Sequence, residues 1–313
     1  MIGIIGAGVW GISLAMVIAK NGNDVIIWGR NEKKIRKLQK NKQNKKYLPN
    51  ITFPNKMNFQ SDINYLLTNC KTIIIAIPSS SFPEIIDVIK KNTKTPHNIA
   101  WVSKGLDKNT NFLSMTLQEK LGDSQIFGII AGPSFAKEVT KEIKTSIVIA
   151  SNDMNFSKLL KKYISNNYMQ VYISTDIIGI QLGGVIKNVV SVAWGILTGL
   201  KSGENTKSAF VIKYLQEIKI LWIKLNADFE TLTGLACFGD ILLGCTNTKS
   251  RNTRFGIKLA KNIPVKSKNT IESIENINIF YKLLRKHKIK APLTKKIRNI
   301  LFKIDPVTSI LKI

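Results

Sequence analysis

The first twenty residues constrain the fold more than any other stretch. Met1–Ile5 reads as a short apolar strand, and Gly6-Ala7-Gly8-Val9-Trp10-Gly11 then follows with GxGxxG spacing before a helix from about Trp10 to Lys20. In a strand–turn–helix unit each glycine has a mechanical reason. Gly6 permits the tight turn, Gly8 lets the backbone approach a pyrophosphate, and Gly11 lets helix and strand pack closely. The helix start, at Val9 and Trp10, offers its free amides to the phosphates. Two other readings of an apolar N-terminus fare worse. A signal peptide wants positive charge ahead of the apolar region and a small-residue cleavage site behind it, and neither is present. A membrane helix is interrupted at Lys20 and Asn21 and is barely long enough to span.

A second strand, Asp24 to Trp28, ends on Gly29-Arg30-Asn31, where many NAD-specific proteins carry an acidic residue for the ribose hydroxyls. Arginine suits a ribose phosphate or stacks on adenine, so Arg30 points to NADP, or to use of both NADP and NAD. A solvent-facing Arg30 is the plain alternative. Further strand-like runs at Thr72–Pro78, Ile99–Val102, Ile126–Ala131 and Thr145–Ala150 alternate with helical patterns at about Pro83–Lys91 and Phe112–Leu121. Alternation of this kind predicts an α/β unit with a parallel sheet covered on both faces. From about Ile178 the pattern turns helical, with periodic apolar positions through Leu301. The expected division is a dinucleotide-binding domain over 1–177 and a helical substrate domain over 178–313, marked by a change of pattern rather than a linker.

A formal charge of +27 over 313 residues invites a polyanion-binding hypothesis. The excess comes from 41 lysines against six arginines, spread along the chain apart from the run Lys33–Lys46, which reads as a solvated helix face. Basic residues interleaved with aromatics are not seen, so no nucleic-acid partner is expected. Three cysteines, Cys70, Cys237 and Cys245, form no CxxC pair, which argues against a disulfide framework or a metal site and for a reducing cytoplasm. His97 and His287 lie in polar, lysine-rich or turn-like sequence, which disfavours a histidine base.

Two charges stand in the wrong company. The window Ile177–Leu200 is apolar on nearly every helical face, and its only charge is Lys187; Thr231–Thr248 is similar, and its only charge is Asp240. An ion buried alone costs several kcal/mol, so each needs a partner or a task. They could pair with each other, or Lys187 could reach the surface along its stem. The functional reading makes Lys187 the proton carrier of a hydride transfer, with Asp240 orienting it or holding a substrate hydroxyl. Immediately afterwards Thr248-Lys249-Ser250-Arg251-Asn252-Thr253-Arg254 opens a helical stretch and holds two of the six arginines. Arginine matters where a planar fork is needed, and phosphate is such a ligand. Ser250, Arg251, Asn252 and the helix-start amides would form an anion pocket; a capping turn with incidental arginines is the alternative.

Taken together, GAGVWG, the NKKYLPN stretch from Asn44, Ser103-Lys104-Gly105, the Ala131–Val139 segment AGPSFAKEV, STDIIGIQLGGVIKNV from Ser174 and GLACFGDILLGCTNTKSRNTRFG from Gly234 resemble bacterial-type NAD(P)-dependent glycerol-3-phosphate dehydrogenases. The resemblance spans nearly the whole chain. It implies a Rossmann-type N-terminal domain joined to an all-helical substrate domain like the C-terminal domain of 6-phosphogluconate dehydrogenase. It implies reversible reduction of dihydroxyacetone phosphate to sn-glycerol 3-phosphate with NADP or NAD, supplying phospholipid synthesis. By the same resemblance Lys187 is the proton acceptor, and Lys104, Gly132, Ser134, Asp240, Ser250, Arg251 and Asn252 contact substrate. Cofactor contacts fall on Trp10, Arg30, Lys104, Ala136 and Arg251, with Thr270 and Glu272 at the far edge. The implied partner is a small molecule, with no integral membrane segment and a homodimer left open.

The chain also departs from the family pattern. Cys237 stands where a glycine is expected before Phe238, and Ser273 where one is expected after Glu272. The stretch between Lys261 and Glu272 is shortened. Near Asn205 the expected arginine is Lys213, which makes Asn205 a weaker site candidate. A related β-hydroxyacid dehydrogenase would share the plan and the buried lysine, but its substrates are carboxylates, and Ser250-Arg251-Asn252 argues for phosphate.

Overall fold

A computed structural model describes residues 1–93, 95–246, 250–264 and 268–312; the side chains of 268–273 lie outside the described residues. The chain divides into two compact units, 1–104 with 113–177 and 105–112 with 178–313.

In the first unit the strands are β1 (Ile2–Ile5), β2 (Val25–Trp28), β3 (Gln43–Asn44), β4 (Leu48–Thr52), β5 (Met57–Gln60), β6 (Thr72–Ile75), β7 (Asn98–Trp101), β8 (Phe127–Ala131), β9 (Thr145–Ser151) and β10 (Met169–Ser174). Its helices are α1 (Val9–Lys20), α2 (Glu32–Asn41), α3 (Ile63–Asn69), α4 (Phe82–Asn92), α5 (Leu113–Leu121), α6 (Ala136–Val139) and α7 (Met154–Ile164). The main sheet runs β10-β9-β8-β7-β6-β1-β2-β5, and β3 and β4 form a separate antiparallel pair. All four β1 residues are buried, as are Ile73, Ile74 and Ile75 of β6, which is what strands covered on both faces require. The chain leaves β1 first toward β2 and later returns on its other side at β6, so the order reverses at β1. The glycine turn follows β1 at this switch point, where open α/β sheets bind ligands.

The sheet departs from the all-parallel expectation at one pairing. β8 and β9 are antiparallel, while β9 and β10 are again parallel. Only the four-residue α6 lies between β8 and β9, too little helix to carry the chain back along the sheet for a parallel return. The run from Thr72 also stops as a strand at Ile75, short of Pro78, and β5 and β10 extend the sheet beyond the strands expected from sequence. His97 is a further correction. Far from lying in polar surroundings it is 4% exposed, with Nδ1 2.9 Å from the Cys70 carbonyl and Nε2 3.1 Å from the Thr93 hydroxyl.

The second unit is helical: α8 (Ile177–Gly199), α9 (Glu204–Lys224), α10 (Phe229–Thr233), α11 (Asp240–Cys245), α12 (Arg251–Ala260), α13 (Lys268–Lys286) and α14 (Pro292–Leu301). Among the described residues α8 is the one helix long and apolar enough to cross a membrane, and 72% of its apolar window is buried within the protein. Its Val185, Ile186, Val189, Val190 and Ala193 pack into the helical core with Tyr214, Ile218 and Trp222 of α9. The apolar window from Thr231 is not one buried helix. It breaks into α10, a π-helical turn at Leu235–Gly239, and α11. The break puts the backbone of Ala236 and Cys237 against α8, where a Cβ on Gly183 would lie 2.7 Å from the Ala236 carbonyl oxygen.

Candidate active site

Within the first unit, the glycine turn has the properties a phosphate cradle needs. Gly6 has φ +126°, and a Cβ there would lie 2.4 Å from the Ala76 carbonyl oxygen; a Cβ on Gly11 would lie 2.2 Å from the Gly6 carbonyl oxygen. Both positions are closed to side chains by backbone. Gly8 is the opposite case, since a Cβ there would meet nothing within 4 Å. Gly8 caps α1 without a side-chain hydrogen bond, and the first turn of α1, beginning at Val9 and Trp10, holds no acidic residue. An open cradle at the positive end of a helix fits a dinucleotide pyrophosphate. The Ser13 hydroxyl sits 2.8 Å from the Val9 carbonyl and 3.1 Å from that of Ala136, which ties the start of α6 to α1. Ser13 is marked in the sequence only as a polar residue in a nearly all-apolar helix.

Arg30 is exposed just beyond the end of β2. Asn31 caps α2, its side chain accepting from the Lys34 amide at 2.9 Å. The Lys34 ammonium reaches back to donate to the Ala7 carbonyl at 2.8 Å. Nothing in a lysine-rich stretch singles out Lys34 before the fold is known.

Past the ends of β7 and β8, Lys104 Nζ lies 3.4 Å from the Gly132 carbonyl oxygen, and the Ser134 hydroxyl donates to the same oxygen at 3.1 Å. Gly132 needs its missing side chain, having φ +125° and only 3.0 Å between an ideal Cβ and the Ile147 Cα. These three predicted residues therefore form one group.

In the second unit the two isolated charges meet. Lys187 Nζ lies 3.3 Å from Asp240 Oδ1, with the lysine side chain 16% exposed and the aspartate 1%. The lysine is neither sealed nor extended into water. Gly244, one turn beyond Asp240 on α11, leaves room for the lysine stem: a Cβ there would sit 3.2 Å from Lys187 Cε and 2.3 Å from Ser191 Oγ. Glycines also bring α12 into backbone contact with α8. A Cβ on Gly195 would lie 2.1 Å from the Thr253 carbonyl oxygen, and one on Gly256 would lie 2.2 Å from that of Val192. This crossing sets the start of α12 beside the lysine, as the 2.8 Å hydrogen bond from Asn252 to the Asn188 side chain shows. Ser250 caps α12, accepting from the Thr253 amide, and Arg251 is exposed on the first turn. Thr248 and Lys249 lie outside the described residues, as do the side chains of Thr270 and Glu272.

The cysteines take no part in this chemistry. All three are free and buried; burial pushes the Cys70 thiol up to about 11 and the Cys245 thiol up to about 12, against the opposing charge of Lys187 for the latter. Among the described residues no group of three or more His, Cys, Asp or Glu side chains could hold a metal.

Comparison with known proteins agrees with this geometry. Residues 1–157 match the profile of the NAD-dependent glycerol-3-phosphate dehydrogenase N-terminus, and residues 176–312 match that of its C-terminus. The glycerol-3-phosphate dehydrogenase (NAD(P)+) of Pasteurella multocida is 34% identical over 306 residues, covering 96% of this chain and 91% of the relative. That of Blochmanniella pennsylvanica is 37% identical over 306 residues, covering 96% and 89%. The crystal structure of glycerol-3-phosphate dehydrogenase from Coxiella burnetii superposes with a TM-score of 0.95 at 35% identity, covering 99% of this chain and 97% of that one. The chain therefore belongs to the NAD-dependent glycerol-3-phosphate dehydrogenase family.

Proposed function

We infer that this protein interconverts dihydroxyacetone phosphate and sn-glycerol 3-phosphate, using NADPH or NADH, and so supplies a precursor for phospholipid synthesis. The carrying observation is Lys187, the one charge on α8, held 3.3 Å from Asp240 with 16% of its side chain open. The glycine turn and α1 hold the dinucleotide through backbone amides, with Arg30 and Ala136 as further contacts. A bound NADP or NAD would supply the hydride acceptor, and its reduced form the hydride donor, for the central carbon of the substrate. In the oxidising direction neutral Lys187 takes the hydroxyl proton. In the reducing direction its ammonium polarises the carbonyl and donates that proton. Asp240 orients the amine toward the reacting oxygen. Ser250, Arg251, Asn252 and the first amides of α12 hold the phosphate, and Lys104, Gly132 and Ser134 complete the substrate contacts. Free, buried thiols suit a reducing compartment, and the cytoplasm is the assigned location.

The test is oxidation of NADPH and NADH with dihydroxyacetone phosphate by the wild type and Lys187→Ala. Loss of a positioned proton carrier costs on the order of 10²–10⁴-fold in kcat. Lys187→Ala also leaves the buried Asp240 carboxylate without this cation, at about 3–5 kcal/mol, so turnover is compared at a temperature where circular dichroism shows the variant folded. A folded variant that retains full turnover would remove Lys187 from the mechanism.

A further inference from the structure

We propose that Lys34, acting with Arg30, makes the site select a dinucleotide that carries a phosphate on its adenosine ribose. The proposal rests on the dinucleotide reading above and adds a specificity-determining residue to it.

Three observations converge on the end of β2. First, the chain there reads Trp28-Gly29-Arg30-Asn31, with no carboxylate to accept from ribose hydroxyls. The next acidic residue, Glu32, is occupied by an ion pair with Arg36 one turn along α2. Second, Lys34 does not trail into solvent like most lysines of this helix. Its ammonium donates to Ala7 in the glycine turn at 2.8 Å, so a positive charge is fixed where β1, β2 and the turn converge. An ammonium has three N–H bonds, and Ala7 takes one. Third, Lys34 and Arg30 are both exposed, open to a ligand from solvent. A phosphate offers them about −1.5 to −2 charges and three acceptor oxygens, where a hydroxyl offers neither. Such charge-assisted contacts are about twice as strong as neutral ones.

A holding role for Lys34, in which it only braces the glycine turn, makes a different prediction, because a brace serves phosphorylated and unphosphorylated ligands alike. The experiment is calorimetric titration of the full chain with adenosine 2′,5′-bisphosphate and with 5′-AMP. It compares the wild type, Lys34→Gln, which keeps an N–H donor without charge, and Lys34→Arg, which keeps the charge. The wild type should favour the bisphosphate, and Lys34→Gln should reduce that preference about tenfold, the size of one charge-assisted contact, with 5′-AMP changed less than about twofold. Lys34→Arg should retain most of the preference. The kcat/KM ratio of NADPH to NADH should follow the same order, and raised salt should weaken the bisphosphate selectively. Equal loss of both nucleotides in Lys34→Gln, or no change in either, would overturn the assignment while leaving the dinucleotide site intact. Failure of the wild type to bind either would overturn the dinucleotide reading and this inference with it.

Discussion

Gly244 shows how much of the candidate site depends on an atom that is absent. A methyl group at this position would stand 2.3 Å from Ser191 Oγ and 3.2 Å from Lys187 Cε, so Gly244→Ala must displace the serine, the lysine stem, or both. Overpacking of this kind costs about 1–3 kcal/mol, and a displaced proton carrier loses on the order of 10²-fold in rate for 1 Å. Ser191 is fully buried and its hydroxyl has no hydrogen-bond partner among the described residues, so removing that oxygen breaks no described bond. Ser191→Ala should therefore rescue Gly244→Ala, recovering most of the urea-unfolding stability and kcat together; a double variant no better than Gly244→Ala would refute this packing account. His97 makes a second residue-level prediction. Burial, opposed by the hydrogen bond to Cys70, lowers its pKa below 6.5, so the folded protein binds this proton less tightly than the unfolded chain. The sign follows from linkage: stability from neutral His97 is present above about pH 6.5 and is lost as pH falls through the lower folded value. Urea unfolding between pH 7 and 5 should show a smaller loss in His97→Gln than in the wild type.

At the scale of elements, α14 starts without a capping side chain of its own. Ala291 stands at its N-cap and Pro292 has no amide hydrogen, so the amides of Leu293 and Thr294 must find an acceptor elsewhere. Glu217 of α9 supplies it, with Oε2 2.6 Å from the Leu293 nitrogen and Oε1 3.0 Å from the Thr294 nitrogen and 2.7 Å from its hydroxyl. Glu217→Gln would turn an amide hydrogen toward a buried donor and should cost about 1–3 kcal/mol in chemical denaturation, whereas exposed Glu230→Gln should change little. This clamp is invisible in the sequence because it joins Glu217 to residues 76 and 77 positions away, and none of the three is unusual in its own neighbourhood. What the sequence did reveal shares a local signature. The GxGxxG turn gave α1 and its cradle, and an apolar run with one charge gave α8 and Lys187. The second such run carries the same apolar composition as one long helix, and composition does not show where a π-helical turn divides two short helices. The antiparallel β9 was missed for a similar reason, since strand direction depends on how the intervening chain crosses the sheet. Lys34 was lost among its neighbours, and only its contact with Ala7 distinguishes it.

Across the whole molecule, the two units have separate cores, and the chain does not divide them at a single point. After β7 it leaves the sheet unit, contributes residues 105–112 to the helical one, and returns at Leu113. Leu106 and Phe112 are 2% and 3% exposed, and both belong to the helical core cluster with Leu182, Val185 and Tyr214. The buried Asp107 carboxylate shapes the excursion, accepting from the amides of Asn109 and Asn111 at 2.8 Å each. A pattern-based division at residue 177 assigns all eight residues to the first unit, because a short loop between two sheet elements carries no helical periodicity. The physical consequence is a mismatch between position in sequence and the structure that is stabilised. Leu106→Ala lies between a strand and a helix of the first unit, yet it removes a side chain from the helical core, at about 2–5 kcal/mol. Hydrogen exchange resolves the two cores. Amides of α8 and α9 should lose protection in Leu106→Ala, while those of β1, β2 and β6 keep theirs; equal loss in the central strands would mean that the excursion supports the sheet instead.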